Sequence, residues 1–142
     1  MIALFAAVLL MAPPVALNLD QIRADPNPEH RAHSAIEFAV AAERNAEAAY
    51  NSGDLKAAAA ELKAMSEAID LARLSLDQTG KTAMRHPGPY KFGELRTQEM
   101  LIRLGDLEHK MDADERAVVQ APREKVQEVH DTWFEGIMSK KK

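Results

Sequence analysis

The chain has 142 residues, enough for one domain with a small core. Hydrophobic residues make up 46% and charged residues 28%, a globular balance rather than a disordered one. The formal net charge of −4 argues against nucleic acid as a partner, and the lack of cysteine excludes disulfides, thiolate catalysis, iron–sulfur ligation and covalent haem attachment.

Residues 1–16, MIALFAAVLLMAPPVA, are uncharged and apolar up to two prolines and a small residue. An apolar run of roughly 7–15 residues before a small-residue cleavage point is the pattern of a secretory signal peptide. Cleavage is expected near Ala16, which predicts a periplasmic or secreted mature chain with no membrane association afterwards. The alternative is a retained anchor, but the run is shorter than the roughly 20 residues of a membrane span and Pro13–Pro14 interrupt it. Residues 17–27 read as a flexible N-terminal segment.

A first long helix is expected over about 28–51. Asn27 can cap it, Pro28 suits its first position, and Glu29 suits the positive helix end. Ile36, Ala39, Val40, Ala46 and Tyr50 share one face, and Ala41, Ala42, Ala48 and Ala49 form a second, small-residue face. In the following Asn-Ser-Gly-Asp, Gly53 supplies a left-handed stop and Asp54 caps a second helix over about 54–79. That helix carries the strongest stripe of the chain, from Leu55 through Leu62, Met65 and Ile69 to Leu76, with Leu71 and Leu74 widening it.

A third helix is expected over about 90–111, with Leu101, Leu104, Leu107 and Met111 buried. Gly93 and Gly105 inside it predict close approach of a neighbouring helix. Asp112–Glu115 has the spacing of a capping box, so the fourth helix is expected over about 113–138 with a seam of Val119, Pro122, Val126, Val129, Trp133 and Ile137. Residues 139–142 form a basic tail. Short turns between long helices force antiparallel hairpins. The fold expected is therefore all-α, two antiparallel helical hairpins forming a four-helix bundle over residues 28–138.

Residues 49–62, AYNSGDLKAAAAEL, resemble the centre of one tetratricopeptide-like hairpin, with Tyr50, Gly53, Asp54 and Ala58 at that family's spacing. No second copy follows, so the resemblance implies a repeat-like hairpin and not a repeat array. The stretches RHPGPYKFGELRTQEMLIRLGDLEHKM and VQEVHDTWFEGIM resemble small exported bacterial helical proteins of uncharacterised activity. That resemblance implies a helical fold and export, and carries over no catalytic residue.

The most unusual stretch is residues 79–97, TGKTAMRHPGPYKFGELRT. Its opening TGKT, residues 79–82, ends like a phosphate-binding loop, but the residue five before Gly80 is Ser75 rather than glycine, and a helix precedes it where a strand is required. Lys81, Arg85, His86, Lys91 and Arg96, with Tyr90 as an apolar contact, form a candidate anion or partner surface on an acidic chain. The competing reading is a solvated connector stiffened by Pro87 and Pro89.

His33 and Glu37 are i,i+4 neighbours and weak metal candidates. The paired Glu-x-x-His motifs of a di-iron bundle do not occur. His109 or His130 with Met65, Met100 or Met111 offers haem ligation in principle, although the methionines are explained as core filler. No nucleophile elbow surrounds Ser34, Ser52, Ser66 or Ser75. The expectation is a non-enzymatic exported helical protein of the cell envelope without a cofactor. It serves protein interaction or scaffolding, with a protein partner or self-association. The alternative is a periplasmic carrier of a small ligand, a metal or haem.

Overall fold

The computed structural model describes residues 18–139; the expected signal segment and the last three residues of the basic tail lie outside them. Among the described residues every regular element is helical: α1 (Leu19–Arg23), α2 (Pro28–Asn51), α3 (Leu55–Gln78), α4 (Pro87–Lys110) and α5 (Ala117–Met138).

Local chemistry accounts for most of the boundaries. The Asn27 side chain accepts the His30 N–H at 3.1 Å at the head of α2. Gly53 takes φ 81, and the Tyr50 and Ala49 carbonyls accept the N–H groups of Gly53 and Asp54, each at 2.9 Å. The Asp54 carboxylate then accepts the Ala57 N–H at 2.9 Å, so one four-residue turn stops α2 and starts α3.

Three boundaries depart from the sequence reading. The segment expected to be flexible contains α1. Asn18 and Gln21 cap it reciprocally at 2.8 and 2.9 Å, and Ile22 is only 2% exposed in the core. α4 starts at Pro87, earlier than expected, because both Pro87 and Pro89 fall in the first turn, where an N–H has no helical partner to lose. α5 starts at Ala117, later than expected, because Asp112–Glu115 forms a turn of its own. Glu115 does reach back to the Asp112 N–H at 3.1 Å, but its own N–H bonds the Asp112 backbone carbonyl at 2.9 Å instead of the side chain.

α2 packs along α3 and α4 along α5; α3 lies against α5, α2 against α4, and α1 against α2. The core runs through Ile36, Leu62, Ile69, Leu104, Val126 and Trp133. Leu74 stays 49% exposed rather than joining the α3 stripe, while Ala42, expected on the second small-residue face, is buried. A Cβ at Gly93 would lie 2.5 Å from a Trp133 ring carbon, so this glycine admits the indole against the α4 backbone. At Gly105 the nearest atom is the Arg123 guanidinium at 3.5 Å, an ordinary contact, and no neighbouring backbone approaches there.

Candidate functional site

Two openings lie along the seam between α2 and α4. The larger is a groove of about 1100 Å³ at the end of the molecule where α2 and α4 begin and α3 finishes. Ile36, Leu76 and Phe92 contribute apolar walls, and His30, His33 and Lys81 contribute polar ones. The His33 and Phe92 rings stack with centroids 4.3 Å apart and 19° between their planes. The Arg96 guanidinium lies 5.3 Å from the Phe92 ring centroid and pairs with Glu99 at 3.3 Å. No side chain caps the start of α4, whose Gly88 and Pro89 line the groove. In that first turn Gly88 and Tyr90 carry a backbone N–H, whereas Pro87 and Pro89 have none.

The residues expected to form one patch are divided only in part: Lys81, Arg85 and His86 share an opening, while Lys91 and Arg96 lie elsewhere on α4. Lys81 faces the groove and pairs with Glu29 at 3.3 Å. Lys81 also lines a second opening of about 450 Å³ together with Arg85 and His86, shared with Gly136 and Ser139, so these three stay neighbours. Lys91 is exposed on α4. Arg96 lines the smaller opening on the α2–α4 seam. Tyr90 is buried, and its hydroxyl donates to the Lys81 carbonyl at 2.8 Å, tying the connector to the first turn of α4. Burial raises the Tyr90 pKa. The helical start at Pro87 separates these residues: it places Tyr90, Lys91 and Arg96 at different angles around α4 and leaves Lys81 and Arg85 in the connector.

His33 and Glu37 bond each other at 3.0 Å, both exposed, and no group of three His, Asp or Glu residues converges as metal ligands among the described residues. His30 Nδ1 bonds the Asp25 carboxylate, which with the Asn27 N–H at 2.9 Å holds the Asp25 carboxyl below its ordinary range. The histidines and methionines considered for haem are spent elsewhere. His130 bonds Glu94 at 3.1 Å, His109 is exposed beside the Gly105 carbonyl, and Met65, Met100 and Met111 are buried in the core.

The smaller opening, about 230 Å³, contains a group that the sequence reading missed. Glu43 is 1% exposed on α2. Its Oε2 accepts Arg103 Nε at 3.0 Å, while the same guanidinium donates through Nη2 to Glu47 Oε2 at 2.5 Å. Oε1 of Glu43 is buried without a hydrogen-bond partner. Burial raises the Glu43 pKa to about 7; Glu47 adds to the rise and Arg103 opposes it. The Arg103 pKa is raised, chiefly by its bond to Glu47. The signal was present in the sequence: Glu43 stands four residues after Ala39 and three before Ala46, on the buried face of its helix. Comparison with family models, with curated proteins and with solved structures finds no match for this chain.

Proposed function

We propose that this chain is a non-enzymatic, exported protein-interaction module of the cell envelope, periplasmic or secreted, in which two antiparallel hairpins form a four-helix bundle. The partner is another protein, and the α2–α4 end groove receives a segment of it. The groove of about 1100 Å³ carries this reading, because it combines apolar walls with Lys81 and an uncapped helix start. Its chemistry suits a segment with apolar side chains for Ile36, Leu76 and Phe92 and a carboxylate directed at Lys81 and the first turn of α4. The tetratricopeptide-like turn at residues 49–62 serves in this reading as a rigid helix connection.

Photo-cross-linking in the envelope of the native host tests the proposal. A photoreactive residue at position 33, on the groove rim, is compared with one at Lys63, on the exposed face of α3. Position 33 is expected to yield one discrete protein adduct that an acidic, apolar peptide from that partner competes away, while position 63 yields none. Equal labelling from both positions, or none from either, refutes the groove as the partner surface. Mass analysis of the same fraction checks export, with loss of residues 1–16 expected.

A further inference from the structure

We propose that the opening beside Glu43, between α2 and α4, is a binding site for a small zwitterion, specifically an amino acid with an apolar side chain. It is separate from the end groove and does not depend on the partner reading. Glu43 and Glu47 share a single cation, Arg103, and Glu43 Oε1 is left without a donor. Buried polar atoms are nearly always paired, so the missing partner is a donor, and beside two carboxylates on one guanidinium it is a cationic one.

The same opening holds Arg44, which forms no ion pair among the described residues and offers a guanidinium to a carboxylate. Val40, Met100 and Ile102 line the same opening, and Ile102 is 63% exposed. A ligand ammonium therefore meets Glu43, its carboxylate meets Arg44, and its side chain covers the apolar wall. Oε1 has almost no accessible surface in this structure, so the ligand enters as the Glu43 carboxylate turns about its broad terminal torsion, exchanging the Arg103 Nε bond to Oε2 for the ligand ammonium.

Charge and size select the class. Arg44 and Glu47 on α2 and Arg96, Glu99 and Arg103 on α4 surround Glu43, giving three guanidinium groups and three carboxylates. A net-neutral guest leaves that balance intact, whereas a metal ion would face three guanidinium groups. About 230 Å³ admits an amino acid and not a nucleotide or a haem. Because an ammonium favours the ionised carboxylate, binding releases protons near neutral pH and weakens as pH falls below about 7.

Glycine, L-alanine and L-leucine titrated into the isotopically labelled mature chain, followed by amide and methyl NMR, provide the test. L-leucine is expected to produce saturable shifts confined to Val40–Glu47 and Met100–Arg103. The analogue lacking the amine, 4-methylpentanoate, and the one lacking the carboxylate, 3-methylbutylamine, are each expected to bind at least about tenfold more weakly. Glu43→Gln and Arg44→Ala are expected to cost a similar factor, and Arg44 is exposed, so its variant keeps the fold. The proposal is overturned if none of the three amino acids saturates. It is equally overturned if both analogues match L-leucine, or if neither substitution weakens binding, because the contact is then adventitious.

Discussion

Replacing Glu43 with glutamine should remove a specific component of the pH dependence of folding. The unfolded carboxyl takes its ordinary value of 4.5, and the folded one about 7. The folded state therefore holds the proton more tightly. The resulting stability is fully present below 4.5 and is lost as pH rises through about 7. The difference of about 2.5, at about 1.4 kcal/mol each, amounts to about 3 kcal/mol. Urea denaturation of both proteins at half-unit steps from pH 4 to 8 measures it, and subtracting one curve from the other cancels the shared histidines. Asp25 and Asp131 do not interfere, because their lowered values place their loss of stability below 3.8. The wild type is expected to lose about 3 kcal/mol relative to Glu43→Gln across the interval. A difference that stays flat would falsify the argument by showing that Arg103 offsets the cost of burial, and one in which the wild type gains with pH would show that Arg103 outweighs it.

Further substitutions probe the surroundings of this group and the packing of the fold. Arg103→Ala leaves Glu43 and Glu47 without their shared cation and should destabilise by about 2 kcal/mol at pH 8, discounted for the partial exposure of Arg103. The cost should shrink at pH 5, where Glu43 is protonated; a pH-independent loss would point to packing alone. Gly93→Ala gains about 1 kcal/mol of helix propensity but drives a methyl into Trp133, so a net loss of about 1–2 kcal/mol is expected. An increased melting temperature would contradict that contact. Asp54→Ala removes the cap on Ala57 and should cost about 1 kcal/mol in chemical denaturation, and no change there would mean that water replaces the carboxylate without penalty.

The hairpin of α2 and α3 was legible because its determinants are local. Asn27, Gly53 and Asp54 act within a few residues of themselves, and the stripe from Leu62 to Leu76 repeats often enough to set a helical period. α1 was not legible, because five residues do not sustain a helix alone; burial of Ile22 against its neighbours stabilises it. The start of α5 also depends on a distant partner. Glu115 bonds both the Asp112 N–H and, at 3.1 Å, the Tyr50 hydroxyl from the end of α2, a partner 65 residues away. Of the candidate site, Lys81 and His33 were singled out separately, but nothing in the order of residues places them on one groove.

The sequence by itself determined that the chain is helical, where its apolar stripes run, and how α2 turns into α3. These depend on spacing and capping, which operate within one or two helical turns. The tertiary structure alone decided that Trp133 fills the space above Gly93, that Arg96 lies on a different opening from Lys81 and Arg85, and that Arg103 meets Glu43 across 60 residues of chain. Such pairings follow from which helix lies against which. A charge on an apolar face cannot disclose its partner until the helices are packed, because burial raises the cost of leaving it unpaired and creates the contact that offsets it.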